Sequence, residues 1–315
     1  MALTMSDVDR FEASRPRLEA IAYRLLGSAS EAEDAVQETY LRWQAADTGR
    51  IEVPEAWLTK VVTNLCLNQL TSARVRRETY VGQWLPEPLL AGDPMLGPVD
   101  TVEQRESVSY AVLVLLERLS PGERAVYVLR AAFDYPHREI AEILNISEAA
   151  SQQIFHRARK HVAAGKARAE VDEAAARRIV EEFLAAATSG RTEPLVRLLT
   201  QDAVSIGDGG GKVPARTKAF EGALAVARFM RGLFKPSKAR RALVGGSPEV
   251  FASTANGGPA LVAVLDGRVI GVMCLEVTPE GIAAFRNQAN PDKLDRATRR
   301  WAAENHGEPL LLHAF

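Results

Sequence analysis

Residues 137–162, HREIAEILNISEAASQQIFHRARKHV, constrain the fold more tightly than any other stretch of this chain. Two short helical periodicities flank a break of only two or three residues, so two helices must cross closely through a tight turn. Ile140, Ile143 and Leu144 repeat at helical spacing on the first helix, Asn145 and Ile146 form the turn, and Ser147 stands where a cap is needed. On the second helix Ser151, Phe155, Ala158 and Val162 share one side. Gln153, His156, Arg157 and Lys160 take the other, with Gln152 on its flank. An apolar face backed by amides and cations is the arrangement that lets a helix-turn-helix seat its second helix in a DNA major groove. A plain helical hairpin with a solvated basic face carries the same pattern.

Composition sets the class. With 315 residues there is room for two or three cores. No apolar run reaches membrane length and no secretory signal opens the chain, so a cytoplasmic protein without membrane association is expected. Cys66 and Cys274 lie far apart in apolar surroundings, which favours neither a disulfide nor a metal site. The net charge is −1, with 20 Lys+Arg against 24 Asp+Glu in residues 1–170 and 19 against 16 in 171–315. Contact with nucleic acid must therefore come from local patches. Such patches occur at Arg74, Arg76 and Arg77, and at Arg157, Arg159, Lys160, Lys166 and Arg168.

The chain divides into domain 8–78, linker 79–100, domain 101–168, domain 173–296 and tail 297–315. An amphipathic helix over Phe11–Leu26 stops at Gly27, Ser30 and Glu33 suggest a capping box for a second helix to about Trp43, and Pro54 opens a long helix through Arg77. The linker is rich in proline and glycine. A charged, alanine-rich stretch at 164–176 leads to helices expected at 173–188, 193–199 and 218–234. Short apolar runs follow at 240–246, 259–265, 268–278 and 281–288, with turns at Asp266-Gly267 and Pro279-Glu280-Gly281, as in an antiparallel meander. Two all-α domains followed by an α+β domain are thus expected. The tail takes no assignment.

Two further helix faces carry chemistry. On the second helix Ala32, Ala35, Val36, Tyr40 and Trp43 face inward, while Asp34, Gln37, Glu38 and Leu41 form an acidic-polar stripe suited to a basic partner helix. On the third, Trp57, Leu58, Val61, Leu65 and Leu70 face inward. Lys60, Asn64, Asn68 and Thr71 line a polar face that runs into Arg74, Arg76 and Arg77, a combination suited to opened DNA. For each, an ordinary solvated face is the plainer reading.

In this order the segments AYRLLGSASEAEDAVQETYLRW, PEAWLTKVVTNLCLNQLTSARVRRE and LERLSPGERAVYVLRAAFDYPHREIAEILNISEAASQQIFHRARK resemble regions 2 and 4 of extracytoplasmic-function (ECF) RNA polymerase sigma factors. The resemblance implies that Asp34, Gln37, Glu38 and Leu41 dock on the clamp helices of the polymerase's largest subunit. It also implies that Lys60, Asn64, Asn68 and the three arginines engage the promoter −10 element, and that Gln152, Gln153, His156, Arg157 and Lys160 read the −35 element. The remaining chain resembles the cone-shaped SnoaL-like (NTF2-like) extension of the SigJ-type subgroup. Trp84-Leu85-Pro86-Glu87-Pro88, Asp208-Gly209-Gly210-Gly211-Lys212 and Asn290-Pro291-Asp292-Lys293-Leu294 carry this likeness.

In that subgroup the extension is thought to modulate sigma activity. WLPEP is a semi-rigid apolar segment able to dock in a groove of the last domain, with Asp208 and Lys212 as polar anchors. GDGGGKV departs from a phosphate-binding loop, and no cofactor is expected. The fold also houses enzymes, but Asp202, Asp208, Asp266 and Glu276 offer no evident acid–base pair, and no histidine occurs between His161 and His306. The expected function is a non-catalytic sigma subunit whose last domain has room for a small ligand. A ligand-responsive DNA-binding regulator that works without polymerase is the alternative.

Overall fold

The computed structural model describes residues 5–78, 80–98, 100–163, 173–215 and 218–312. The chain forms two compact units, one of Met1–Thr79 with Gly92–Lys166, the other of Tyr80–Ala91 with Ala167–Phe315. The segment expected as a linker is therefore divided, its first part belonging with the C-terminal unit and its second with the helical one.

In the helical unit, α1 (Met5–Leu26) ends at Gly27, whose φ of +69° gives the left-handed turn that stops a helix. One extended residue later α2 (Ala29–Ala45) begins. Its cap is Ser28, which accepts from the Glu31 amide at 3.2 Å, and not the expected Ser30. Because Gly27 already reverses the chain, no further loop residues are needed before the cap. A long helix, α3 (Pro54–Glu78), follows, and Phe11, Ile21, Leu25, Val36, Trp43, Leu58 and Cys66 fill the space between the three. Val61 and Trp57 are only half-buried; Val62, Thr63 and Thr59 are buried instead. Helix α3 packs on α1 and α2 on one side and on α6 and α7, described next, on the other, so its buried stripe is wider than a single apolar period.

The second half holds α4 (Val102–Val108), α5 (Tyr110–Leu116), α6 (Pro121–Tyr127), α7 (His137–Leu144) and α8 (Glu148–Ala163). Complete capping boxes, Thr101 with Gln104 and Ser120 with Glu123, start α4 and α6. A π turn over Val128–Ala132 extends α6. Asn145 adopts φ 54° and ψ 50° between α7 and α8, and Ser147 accepts from the Ala150 amide at 3.1 Å.

Two buried arginines cross-link the unit. Arg24 donates to Ser107 Oγ (3.0 Å) and the Leu96 carbonyl (2.6 Å), and Arg124 donates to the Arg24 carbonyl (3.2 Å) and pairs with Glu117. Burial pushes Arg24 down to about 10 and Arg124 to about 9, so both remain charged at neutral pH.

The C-terminal unit contains α9 (Glu173–Thr188), α10 (Glu193–Leu198), β1 (Leu199–Asp208), β2 (Phe220–Glu221), α11 (Ala223–Leu233), α12 (Lys238–Val244), β3 (Glu249–Ala255), β4 (Gly258–Leu265), β5 (Arg268–Thr278), β6 (Gly281–Gln288) and α13 (Asp295–Ala302). Strand order is β2-β1-β6-β5-β4-β3. Strands β3 to β6 form the antiparallel meander, but β1 joins β6 in parallel, which makes the sheet mixed. Helices α9 and α11 pack on one face, where Val180, Phe183, Met230, Leu261, Leu275 and Phe285 form one core and the Phe183 and Phe285 rings lie 4.8 Å apart. The unit is thus an α+β domain, as expected.

Several sequence boundaries shift. Residues 240–246 fall mostly in α12, because Lys, Arg and Ala favour a helix and two apolar residues do not make a strand. The helix expected from 218 begins only after β2 and Gly222, whose φ is +85°. Strands β1 and β3 were not expected; both mix polar and apolar positions. Helix α13 crosses the boundary placed at 296. Its Trp301 packs on Phe251 with ring centroids 5.0 Å apart, so much of the tail belongs to this unit. Residues 164–172 of the basic, alanine-rich stretch, with Lys166 and Arg168, lie outside the described residues.

Replacing the true cap, Ser28→Ala, should cost about 1 kcal/mol. In amide exchange of the full chain, the first turn of α2 should exchange roughly five-fold faster. Ser30→Ala should leave that rate nearly unchanged.

Candidate functional surfaces and the linker clamp

On α2, Asp34, Gln37 and Leu41 are exposed on one face, Leu41 to 52 %, which is unusual for a leucine in so well packed a unit. Glu38 is half-buried on the same face and pairs with Arg42 at 3.0 Å. The inward set is buried except Tyr40, which is half-buried against Phe11. Four residues one helical turn apart thus offer two carboxylates, an amide and an apolar tip.

On α3, Lys60 and Asn68 are exposed and Asn64 is half-buried, its amide donating to the Lys60 carbonyl at 2.8 Å. That bond leaves the Asn64 side-chain oxygen and its second N–H available to a partner. Arg74, Arg76 and Arg77 lie in the last turns of α3, and their side chains are outside the described residues.

On α8, Gln152, Gln153, His156, Arg157 and Lys160 are all exposed, whereas Ser151, Ala158 and Val162 are buried. Ser151 holds His137 Nδ1 at 2.9 Å, and Phe155 packs between His137 and Tyr127. Burial and the nearby Arg130 hold His137 below the usual histidine range, so it is neutral at pH 7 and fixes the angle between α7 and α8. Arg157 stands 4.0 Å from Glu123, close enough for attraction but exposed and free to swing outward.

In the C-terminal unit, WLPEP lies against the sheet. Leu85, Pro86, Glu87 and Pro88 are buried and Trp84 is half-buried. Asp208, at the end of β1, accepts five hydrogen bonds: from the Tyr80 hydroxyl (2.6 Å), the amides of Leu85 (3.0 Å) and Gly210 (3.0 Å), Gln288 Nε2 (3.2 Å) and Lys293 Nζ (2.8 Å). Lys293 also donates to the Leu85 carbonyl at 2.7 Å, and its ammonium lies 4.2 Å from the Trp84 ring centroid. Asn290 donates to the Tyr80 hydroxyl at 2.9 Å, and Gln288 holds the Pro86 carbonyl at 3.2 Å.

The second anchor of the glycine motif differs from the expectation. Lys212 pairs at the surface with Asp292 at 2.6 Å, and Asp208 takes its cation from Lys293. The glycines serve close approach. A Cβ on Gly209 would stand 2.0 Å from the Val213 carbonyl oxygen, and one on Gly210 would strike the Asn290 amide. Leu294 is buried behind the short 3-10 turn Pro291–Lys293.

Farther along, the linker covers part of the outer edge of β3. Leu89 donates to Asn256 Oδ1 at 3.0 Å and accepts from its amide at 2.8 Å, and Ala91 donates to the Thr254 carbonyl at 3.2 Å. Leu311 bridges to Val250 at the other end of the same strand. Tyr80, Gln288 and Asn256 were not anticipated as clamp residues. Only Asn256, before two glycines, gave any signal, and that signal was for a turn.

Possible catalytic carboxylates are not gathered. Asp202 is exposed, Asp266 occupies its turn at φ +49°, and Glu276 is held by Arg286 at 3.0 Å. Among the described residues no group of His, Cys, Asp and Glu could hold a metal ion. No helix among them is long and apolar enough to cross a membrane.

Comparison with known proteins agrees with this layout. Residues 10–76 match the Sigma-70 region 2 model and residues 109–162 the Sigma-70, region 4 model. The ECF RNA polymerase sigma factor SigJ of Mycobacterium tuberculosis is 44% identical over 228 residues, 72% of this chain and 73% of that protein. The chain belongs to the ECF family of RNA polymerase sigma factors. A probable ECF sigma factor of the same species, SigI, is 30% identical over 90% of this chain and 93% of its own length. The crystal structure of M. tuberculosis SigJ aligns with a TM-score of 0.69 at 36% identity, covering 91% of this chain and 97% of that one.

In this sigma factor the clamp depends on Asp208 staying charged. Burial alone would raise its pKa, but Lys293, Tyr80 and the Leu85 amide outweigh that and hold it below the usual carboxylate range. A carboxylate depressed on folding contributes stability that is complete above the unfolded value and is lost as pH falls through the folded one. The C-terminal unit should therefore lose stability below about pH 4. Asp208→Asn, which strands the Lys293 charge, should cost about 3 kcal/mol at pH 7 and flatten this acid dependence. Thermal melts followed by fluorescence in a variant that keeps Trp84 and Trp301 as its only tryptophans would measure both effects.

Proposed function

We propose that this sigma factor recruits core RNA polymerase to a specific class of promoters, assists strand opening and is not itself a catalyst. In this reading Asp34, Gln37, Glu38 and Leu41 dock on the clamp helices of the largest subunit. Lys60, Asn64, Asn68, Arg74, Arg76 and Arg77 engage the −10 strand. Gln152, Gln153, His156, Arg157 and Lys160 read the −35 duplex, and the protein acts in the cytoplasm. The observation that carries the reading is that the α2 stripe and the α8 polar face are both presented to solvent within one sequence-matched region 2 and region 4 pair.

The C-terminal domain modulates this activity through the linker. Helix α3 ends at Glu78 and the clamp begins at Tyr80. Holding residues 80–91 against the sheet therefore shortens the free tether between the two DNA-reading helical domains. A small-ligand role finds little support, because Phe183, Phe285, Met230 and Leu275 occupy the space between sheet and helices.

Run-off transcription with purified core polymerase tests the assignment. The full chain should give core-dependent, promoter-specific transcripts. Asp34→Ala/Gln37→Ala/Glu38→Ala should lower core affinity at least ten-fold, a loss of about 1.4 kcal/mol or more, without changing the circular dichroism spectrum. Unchanged core affinity would reject the docking surface. Trp84→Ala should change transcript yield from the same promoter, and an unchanged yield would reject regulation through the linker.

A further inference from the structure

The C-terminal domain carries a charge asymmetry that neither the clamp nor the region 2 and region 4 surfaces account for. Asp and Glu make up 40 of the 315 residues, yet none falls between Glu221 and Glu249. The same interval contains Arg228, Arg231, Lys235, Lys238, Arg240 and Arg241. It folds as α11 and α12, joined by a short connection through Pro236. On α11 the residues Val226, Ala227 and Met230 are buried, and Arg228 and Arg231, three apart, point outward. On α12 Lys238 and Arg241 repeat that spacing and are also exposed. Among the described residues Arg228, Arg231 and Lys238 have no ion-pair or hydrogen-bond partner. Elsewhere in the chain surface cations commonly sit beside an acid, as in Arg42–Glu38, Arg138–Glu142, Arg177–Glu181 and Lys212–Asp292.

We propose that the outward cations of α11 and α12 are phosphate-binding groups for duplex DNA, a contact separate from those of α3 and α8. A run of outward cations without interleaved acids is not needed for solubility, since mixed charge serves that better. It also raises the self-repulsion of the folded domain. Its complement is a polyanion with regularly spaced charge, and DNA supplies one phosphate per strand about every 3.4 Å. Arginine and lysine with no amide or carboxylate among them can hold phosphates but cannot discriminate bases, so the contact adds affinity and salt dependence without sequence preference. The inference rests on the promoter-binding reading only for its biological setting, because the contact itself requires neither core polymerase nor a promoter.

The test uses the full chain and the charge-reversal variant Arg228→Glu/Arg231→Glu/Lys238→Glu. Binding to a duplex of unrelated sequence, measured over a salt series without core polymerase, should weaken at least ten-fold at low salt. The log–log salt slope should fall by about 2 to 3 in magnitude, since each lost phosphate contact accounts for about 0.9. Core-polymerase affinity and circular dichroism should be unchanged. In holoenzyme on a promoter the variant should keep its −10 and −35 protection while binding with a shallower salt slope. An unchanged slope on unrelated duplex overturns the proposal. So does unchanged DNA binding with weakened core binding, which would assign the face to an acidic protein surface. Failure of the sigma reading shows separately, as wild-type protein that binds duplex but gives no core-dependent transcript.

Discussion

Asp208 keeps a full negative charge with none of its side chain in water, and Lys293 is 10 % exposed beside it. Removing two such charges from water costs several kcal/mol each, and their attraction offsets this only when the remaining lone pairs and protons are also satisfied. Here they are: the carboxylate accepts from Tyr80, Leu85, Gly210 and Gln288 as well, and the ammonium donates to the Leu85 carbonyl and faces the Trp84 ring. Three of those residues, Tyr80, Trp84 and Leu85, belong to the linker. The pair is satisfied only while the linker is seated, so linker docking and the stability of this end of the sheet are one equilibrium.

That coupling explains why the sheet tolerates the edge it has. A strand such as β3 at the end of a sheet presents unpaired backbone groups and invites pairing with other chains. Leu89–Ala91 covers one end of it and Leu310–Leu311 the other. Releasing the linker would expose that edge together with the apolar side chains of Leu85, Leu89 and Leu90, all under 4 % exposed when docked. A switch built on this segment is therefore held by apolar burial and by charge at once, and it opens only against both.

Much of the helical unit was legible locally. Ile140, Ile143 and Leu144, the Asn145 turn and the Ser147 cap were correctly assigned, because a helix-turn-helix is specified by contacts within a few residues of one another. The polar faces of α2 and α8 followed from the same periodicity. Misassignments began where a second partner or a competing local signal intervened. Ser30 with Glu33 has the spacing of a capping box, but Gly27 had already turned the chain and Ser28 takes the cap. Val61 was expected in the core from one apolar period, yet α3 is packed from two sides and buries Val62 and Thr63. Strands β1 and β3 escaped notice because polar and apolar residues are mixed along both without a clean alternation.

By itself the sequence determined the order of the domains, the helical faces, the hairpin turn at Asp266-Gly267 and the family, since each is written in short-range spacing or in contiguous motifs. It also marked WLPEP, the glycine run and NPDKL as a set. It could not say how they meet. Tertiary structure alone paired Asp208 with Lys293 rather than Lys212, brought in Tyr80 and Gln288, joined β1 to β6 in parallel and folded Trp301 back onto Phe251. The physical reason is separation along the chain. The clamp closes over 85 residues between Asp208 and Lys293 and over 128 between Tyr80 and Asp208. At such distances a lysine's partner is chosen by the sheet that brings the groups together, and not by its neighbours in sequence.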